Sequence, residues 1–459
     1  MGGYLRFANL GALEMSPDEG ASWAAASQPS VADVIARQAI LNPGKLAIHD
    51  LALHAWIGVF GASLTAMRAM SAALGTLSVL FLYLIGLELF SDPLPDGSQQ
   101  TDERARMVAA SSAALFAVSL IMVKYARDAR MYPLMLAFVL AQVWIFLRAI
   151  RRWWSAASVV LLVLLTAAAI ACNFSAVLVP IAELIWLVYL LAGSRFPGWS
   201  SVQRPAGRRR VVMVGVTITA GMLAMLPSLL AGFSKTAAVT SGGIVRWIQP
   251  PEIYAPIAMF NKATGSFAFP LLAALAVWGA IRNWRRDSNA TLFLLIWMWA
   301  PPLMMLVASY ALTPIFVERY ALSCFVPFFI LAAIGISELG ATRTSVAALA
   351  IVGLVSLAHV HTFFSKPHDA QFREAAIYAA SQLKAGESMT VVPAYAIEVL
   401  HYYLPPDQQT SVVRFRAGSA VANLVILHDQ GITPGLDATV RKDYPHVLAW
   451  MRGVVVLRR

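Results

Sequence analysis

Ten long apolar runs constrain this chain more than any other feature of its sequence. Each has about 17 to 23 residues, and a helix needs about 20 to cross the roughly 30 Å of hydrocarbon in a bilayer. The runs lie near residues 69–90, 107–123, 131–149, 155–171, 175–193, 211–233, 267–283, 290–311, 320–339 and 345–364. They predict an α-helical polytopic membrane protein with about 10–11 transmembrane helices.

The composition excludes an ordinary soluble protein. Of the 459 residues, 59% are hydrophobic and 13% are charged, whereas soluble domains have about 45–50% and about 25%. Mean hydropathy is +0.67. The two cysteines, Cys172 and Cys324, lie in or beside apolar runs, so neither a disulfide framework nor a cysteine metal site is predicted.

The net charge of +11 does not indicate nucleic-acid binding, because most basic residues lie in short loops between the apolar runs. Arginine-rich loops alternate with arginine-poor ones, and the positive-inside rule assigns the rich loops to the cytoplasm. The rich loops lie near residues 104–106, 148–152, 195–210, 282–286 and 343. The poor loops lie near residues 172–174, 234–266 and 312–318. This pattern predicts a multi-pass protein of the cytoplasmic (inner) membrane.

The segment KYARDARMYP, residues 124–133, opposes that pattern. It places Lys124, Arg127, Asp128 and Arg130 in a loop predicted to lie on the outer side. Ionisable residues at a membrane face are functional candidates by default, because their burial there is costly.

The chain changes character at residue 365. From there on hydropathy drops, and the polar helical segment 369–386 is followed by the short β-type runs MTVVP, ANLVIL and GVVVL. We therefore predict a transmembrane domain over residues 1–364, including a first outer loop at 15–67, and an extracytoplasmic α/β domain over 365–459. Parity of the spans predicts a further helix before residue 15, where the apolar run is too short to cross a bilayer.

Two acidic residues follow that short run in the segment SPDEG. Ser16 or Asp18 could cap the next helix, since both residue types accept bonds from free backbone N–H groups. Alternatively, Asp18, with Glu19 beside it, acts as general base on a hydroxyl or amine acceptor at the membrane surface.

The KYARDARMYP segment has two interpretations as well. On a helix, Lys124 and Asp128 would stand at positions i and i+4, and the segment could be an interfacial ion-pair cluster. Alternatively, its arginines and its lysine bind an anionic headgroup, because guanidinium forks and ammonium groups bind phosphate.

Four motifs, in this order, resemble the GT-C superfamily of membrane glycosyltransferases. They are the acidic pair, the segment 42–90, YARDARMYPLMLAF and VERYALSCFVPFFILAAIGI. The sequence is similar to the branch that contains dolichyl-phosphate-mannose protein mannosyltransferases and the aminoarabinose transferase of lipid A. The resemblance implies transfer of a sugar from a polyprenyl-phosphate carrier at the outer membrane face, usually with inversion. It maps the catalytic carboxylate onto Asp18, and it maps the acid of the (E/D)ARMY motif onto Asp128, which Arg130 and Tyr132 follow.

Further candidates follow from the chemistry of a phosphate leaving group, which nearby cations stabilise. The candidate phosphate or substrate partners are Lys45, Lys124, Arg127, Arg130, Tyr132, Arg319 and Tyr320. For Arg319, the alternative is an ion pair with Glu318 at an interfacial anchor. The eight histidines show no HExxH spacing. Some relatives bind a divalent cation, so the resemblance leaves a metal open.

The predicted partners are a polyprenyl-phosphate-linked sugar, membrane lipids, and an envelope lipid, glycan or protein as acceptor. A transporter or lipid flippase is the main alternative, although such proteins tend to carry ionisable residues near the bilayer midplane, whereas these charges gather at one face. A sensor or assembly protein that uses residues 365–459 would need no acidic pair near the membrane.

Overall fold

The structure is a computed structural model that describes most of the chain. It describes residues 1–42, 45–93, 99–152, 154–192, 205–232, 248–265, 267–340, 342–366, 369–415, 422–429, 432 and 434–459. Arg195 and Arg204 of one arginine-rich loop lie outside these residues, as do residues 234–247 and 266 of an arginine-poor loop.

The chain forms two compact units. The first comprises Met1–Ala8, Pro43–His49 and Ala69–Phe364. The second comprises Asn9–Asn42, Asp50–Arg68 and Ser365–Arg459. Residues of the predicted outer loop therefore group with the C-terminal residues. The division into a transmembrane domain over residues 1–364 and an extracytoplasmic domain over residues 365–459 stays a prediction.

Helices make up most of both units. In chain order they are α1 (Gly2–Phe7), α2 (Pro17–Ala26), α3 (Val31–Leu41), α4 (Ile48–Phe60), α5 (Leu64–Phe90), α6 (Glu103–Val118), α7 (Leu120–Ala126), α8 (Tyr132–Arg151), α9 (Ala156–Cys172), α10 (Leu178–Ala192), α11 (Pro205–Ala224), α12 (Leu226–Gly232), α13 (Ala255–Thr264), α14 (Ala268–Trp284), α15 (Ser288–Ala311), α16 (Phe325–Ser337), α17 (Thr342–Ser365), α18 (Phe372–Gln382), α19 (Ile397–Tyr403), α20 (Pro406–Gln409) and α21 (Pro434–Asp443). Short 3-10 helices precede α10, α16 and α19.

Every predicted apolar run coincides with a helix or with a bent pair of helices. In the described part of the chain, six helices are long and apolar enough to cross a membrane, and up to nine if each bent pair is one span. The shorter apolar helix α9 occupies the remaining predicted run. The predicted fold class, a polytopic helical membrane protein, is confirmed.

One bend matters for the candidate site. The helices α6 and α7 meet at an angle of 62°. Ser119 separates them in an extended conformation, with φ −66° and ψ 129°, and its side chain forms no cap. The predicted straight run 107–123 is therefore broken, and α7 takes a different direction from α6 shortly before the charged segment.

The second unit contains a four-stranded sheet of β3 (Met389–Val392), β4 (Leu424–His428), β5 (His446–Met451) and β6 (Val454–Arg458) in the order β3-β4-β6-β5. Two short strands, β1 (Asp92–Pro93) and β2 (Gln99–Gln100), pair separately in the first unit. In the large sheet, β3 and β4 are parallel, whereas β6 is antiparallel to both β4 and β5.

The sequence predicted three of these four strands. The runs that became β3, β4 and β6 are almost entirely buried, which is why they are continuously apolar. The strand β5 was missed, because it lies at the sheet edge and its residues are mostly exposed or half-buried. The polar segment 369–386 contains α18, as predicted.

Candidate functional site

The charged segment KYARDARMYP forms a turn between two helices of the first unit. Helix α7 ends at Ala126, Arg127 follows as its C-cap, and α8 begins at Tyr132 with Pro133 in its first turn. The predicted helical i, i+4 relation between Lys124 and Asp128 is therefore wrong. The proline suits a first turn, where its missing N–H is not needed, so the chain starts a new helix here.

Aromatic rings and a backbone carbonyl hold the two cations at the end of α7. The Arg127 guanidinium donates to the Leu5 carbonyl oxygen at 3.0 Å and lies 4.3 Å from the centre of the Phe364 ring. The Lys124 ammonium lies 5.6 Å from the ring centres of both Tyr125 and Phe363. Each cation therefore makes cation–π contacts, which stabilise a positive charge that is partly removed from water.

The turn itself contains Asp128 and Arg130. The Arg130 backbone N–H donates to the Asp128 carbonyl oxygen at 2.7 Å. The Asp128 side chain is half-buried, whereas Arg130 is buried with 5% of its surface exposed. A buried guanidinium beside a half-buried carboxylate can present both a positive and a negative group to a substrate.

The fourth predicted motif, which begins with VERYAL, lies beside this turn. The Arg319 guanidinium lies 6.0 Å from the ring centres of Tyr132 and Tyr320. The rings of Tyr125 and Tyr132 meet edge to face at 5.4 Å, and Tyr125 interacts electrostatically with Arg319 and Asp128. The structure thus brings Asp128 and Arg319, predicted from two separate motifs, into electrostatic interaction with Tyr125, whose ring contacts Tyr132.

Glu318 does not depend on Arg319 for an ion pair. Its carboxylate accepts from the exposed Lys262 ammonium at 2.6 Å. Lys262 was not among the predicted residues, and its position on α13 gave no signal in the sequence.

A small apolar cavity adjoins the two tyrosines. Nine residues from α5, α6, α7, α8 and the 3-10 helix Glu318–Cys324 line it: Gly75, Phe116, Met122, Tyr125, Ala126, Tyr132, Pro133, Leu136 and Leu322. Apart from the two phenol groups, this lining is apolar. The cavity places apolar surface next to the charged turn.

Asp18 and Glu19 lie in the second unit, and their environments differ. Ser16 is the N-cap of α2, and its side chain accepts from the Glu19 backbone N–H while the Glu19 carboxylate accepts from the Ser16 N–H at 3.0 Å. The prediction that Ser16 caps this helix is confirmed. Asp18 is exposed in the first turn and interacts electrostatically with Tyr395. Burial and the Asp18 charge together raise the pKa of Tyr395.

Glu19 is a buried ion-pair residue. Its two oxygens accept from Nε and Nη2 of Arg68 at 2.7 and 2.8 Å, and both side chains are almost fully buried. Arg68 also donates to the carbonyl oxygens of Leu10, Leu13 and Glu14. The pair fastens the segment before α2 to the start of α5, so Asp18 is placed by a rigid support.

A second carboxyl pair near this segment was missed by the sequence analysis. The Glu14 carboxyl is hydrogen-bonded to Glu374 and accepts from the Arg373 backbone N–H at 2.7 Å. Burial and the neighbouring carboxylates raise the pKa of Glu14 to about 8. The hydrogen bond from Glu14 lowers the pKa of Glu374. No spacing rule could find this pair, because its members are far apart in the sequence.

The remaining predictions concern Lys45 and a metal ion. Lys45 is half-buried in the loop before α4, in the first unit. Among the described residues, no three His, Cys, Asp or Glu side chains are grouped so that they could hold a metal ion. A role for Lys45 stays a prediction.

No model of a known protein family matches the chain, and no curated protein sequence matches it. Solved structures do match. ArnT from Cupriavidus metallidurans bound to undecaprenyl phosphate is similar with a TM-score of 0.60 and 13% identity, over 99% of this chain and 95% of that chain. Its apo state gives 0.58 and 12%, over 97% and 94%.

A second kind of enzyme has a similar fold. The archaeal oligosaccharyltransferase AglB from Archaeoglobus fulgidus, in complex with an inhibitory peptide and a dolichol-phosphate, gives a TM-score of 0.54 and 12% identity, over 90% of this chain and 65% of that chain. Both neighbours are GT-C glycosyltransferases. The chain therefore has the GT-C fold that its motifs predicted.

Proposed function

We propose that this chain is a membrane glycosyltransferase that moves a sugar from a polyprenyl-phosphate carrier to an envelope lipid, glycan or protein. The observation that carries the proposal is the grouping of Asp128, Tyr132 and Arg319 around Tyr125, at the end of apolar helices and beside an apolar cavity. The matching fold of ArnT, solved with undecaprenyl phosphate bound, supports a carrier of the same class.

The cations fit the electrostatics of such a transfer. Attack on the anomeric carbon breaks its bond to the carrier phosphate, so negative charge grows on the leaving oxygen. Lys124, Arg127, Arg130 and Arg319 are the groups we assign to that phosphate. Arginine binds phosphate by paired N–H bonds, and such bonds are strongest where water is scarce.

A carboxylate completes the reaction by accepting the proton of the attacking hydroxyl or amine. We assign this role to Asp18, which is exposed and does not cap its helix, and we assign Glu19 to holding Asp18 in place. Asp128 orients the cations of its own turn. Because the attacking group enters opposite the leaving phosphate, the product has the inverted anomeric configuration.

The carrier lipid needs a hydrocarbon surface near its phosphate. The cavity lined by residues such as Phe116, Leu136 and Leu322 provides one beside Tyr125 and Tyr132. We propose that the first isoprene units of the carrier pack against this apolar surface.

The proposed location is the cytoplasmic membrane, with residues 365–459 on the outer side. The support is the alternation of arginine-rich and arginine-poor loops in the sequence. Reporter fusions at Arg209 and Arg285 should be cytoplasmic, and fusions after Lys366 should be external. A cytoplasmic reporter after Lys366 would exclude transfer to an exported acceptor.

The activity itself is tested with purified protein and a radiolabelled polyprenyl-phosphate sugar. Donors and acceptors come from a membrane extract of a deletion strain, in which mass spectrometry identifies the lipid-linked sugar that accumulates and the glycan that disappears. Sugar transfer by the wild type, and about tenfold slower transfer by Arg319→Gln, is the expected result. Movement of the labelled lipid between leaflets without transfer would instead support a flippase.

A further inference from the structure

Three arginines converge on one carboxylate at a place that the proposed transfer does not use. In the first unit, Glu338 accepts from Arg104 at 3.2 Å and from Arg282 at 3.2 Å, and it forms an ion pair with Arg286 at 2.9 Å. Arg104 also donates to the Asn283 side-chain oxygen at 3.2 Å. The residues come from the start of α6, the end of α14 and the residue after α16. We call Arg104, Arg282, Arg286 and Glu338 the arginine cluster.

Two glycines explain why these groups meet. A Cβ atom on Gly279 would lie 2.0 Å from the Leu331 carbonyl oxygen, and one on Gly335 would lie 2.0 Å from that of Leu275. Only glycine allows the backbones of α14 and α16 to approach so closely. Arg282 follows Gly279 by one helical turn, as Glu338 follows Gly335, so the crossing places the two charged groups side by side.

The arginine cluster has an excess of positive charge on its outside. The Glu338 side chain is 5% exposed, whereas those of Arg282 and Arg286 are 39% and 51% exposed. The Glu338 carboxylate faces three cations, and Asp102 adds a second negative charge near Arg104. Each guanidinium carries five N–H groups, and Arg282 gives its Nε and Arg286 its Nη1 to Glu338. The buried Glu338 carboxylate therefore fixes the positions of Arg282 and Arg286, whose exposed guanidinium groups can bind an anion from the surroundings.

An apolar helix face leads directly to the arginine cluster. On α14, Val277, Trp278, Ile281 and Trp284 are all exposed and share one side of the helix. The Arg282 guanidinium lies 5.4 Å from the centre of the Trp278 ring. Tryptophan at the end of an apolar face is typical of the headgroup level of a bilayer, where acyl chains cover the face and phosphates lie at its end.

We infer that the arginine cluster binds the phosphate of an anionic membrane phospholipid, whose acyl chains lie along Val277, Trp278, Ile281 and Trp284 of α14. The positive excess fits an anionic headgroup and disfavours a zwitterionic one, because an added ammonium group would face the arginines. Basic sites between transmembrane helices commonly hold such lipids. The inference is independent of sugar transfer, since none of these residues belongs to the proposed donor site.

The test is lipid binding by the detergent-purified full-length protein, measured by native mass spectrometry and by the shift in unfolding temperature. The probes are phosphatidylglycerol, phosphatidylcholine and inorganic phosphate. Phosphatidylglycerol should bind and raise the unfolding temperature, and the other two should not. Removing one arginine at a membrane surface should weaken lipid binding about fivefold, so Arg286→Gln should bind phosphatidylglycerol about fivefold less tightly.

Arg285→Gln is the matched control. It removes the same charge from the adjacent exposed position, which gives Glu338 no bond among the described contacts. If both variants lose affinity equally, the binding is diffuse surface attraction and the inference is wrong. Equal stabilisation by phosphatidylcholine, or by inorganic phosphate, would overturn it as well. Should Arg286→Gln not fold, Arg104→Gln, on a different helix, supplies the same measurement.

Discussion

The two acidic segments that the sequence analysis identified, SPDEG and KYARDARMYP, differ in how their charged side chains are arranged. In the second unit, the adjacent residues Asp18 and Glu19 differ completely, because one is exposed and the other is buried against Arg68. In the first unit, Asp128 and Arg319 belong to distant motifs, yet both interact with Tyr125. Adjacent residues such as Asp18 and Glu19 therefore have different environments, whereas Asp128 and Arg319, which are far apart in the sequence, interact with the same tyrosine.

The difference shows that each residue of a charged motif has to be interpreted separately, from its own burial and contacts. Glu19 has the contacts of a structural residue, with two hydrogen bonds to Arg68 and one to the Ser16 N–H. Asp18 has the exposure that a proton acceptor needs. In the turn after α7, by contrast, the charged side chains are half-buried or buried among aromatic rings, where a phosphate would be bound strongly.

The largest expected effect is on catalysis by Asp18. Asp18→Asn should reduce turnover by about 10²–10⁴-fold while the donor still binds, because an amide cannot accept the acceptor's proton. Stability should change little, since Ser16 and not Asp18 caps α2. The measurement is single-turnover transfer from radiolabelled donor. Near-wild-type turnover in this variant, together with an inactive Asp128→Asn, would move the catalytic role to Asp128.

Glu19 should respond in the opposite way. Glu19→Ala leaves the buried Arg68 guanidinium without its carboxylate, and breaking a buried pair in this way costs about 3–5 kcal/mol of unfolding free energy. Denaturant unfolding of the purified protein measures the loss. Asp18→Ala is the matched control and should unfold almost as the wild type does. Equal losses in both variants would contradict the division of roles.

A smaller effect is expected from the cation beside Tyr132. Arg319→Gln should lower sugar transfer about tenfold, the effect of losing one partly exposed charge-assisted bond to phosphate. Lys262→Gln removes the same charge from the partner of Glu318 and should leave transfer nearly unchanged. Transfer rates at equal protein levels decide between them, and full activity of Arg319→Gln would remove Arg319 from the site.

The smallest effect concerns pH and the Glu14 carboxyl. Its pKa is raised from 4.5 to about 8, so the folded protein keeps a proton that the unfolded chain releases. The stability it contributes is therefore present below about pH 4.5 and is lost as the pH rises to about 8. Unfolding temperature should fall across this window in the wild type.

Glu14→Gln is the variant that isolates this effect, because it cannot ionise. Its unfolding temperature should vary less between pH 5 and pH 8 than that of the wild type. The lowered pKa of Glu374 acts below this window, where stability is lost as the pH falls, so it does not mask the result. An identical pH profile in both proteins would show that Glu14 is ionised in the folded state.

Much of the fold followed from local patterns. The ten apolar runs and the strands β3, β4 and β6 were predicted, because a helix that crosses lipid and a strand buried on both faces each require continuous apolar sequence. The edge strand β5 was missed, since exposure removes that signal. The break at Ser119 was missed as well, because a serine in an apolar run does not by itself indicate whether the helix continues or bends.

By itself, the sequence determined the membrane class, the positions of the spans, a helix cap at Ser16 or Asp18 and the four motifs that indicate a GT-C fold. Each of these depends on residues close together in the chain, where helix period, hydropathy and capping act. Only the tertiary structure decided that Arg68 pairs with Glu19, that Asp128 and Arg319 share Tyr125, and that Glu338 gathers three arginines. These contacts join distant residues, and their energies depend on burial and distance, which no local pattern contains.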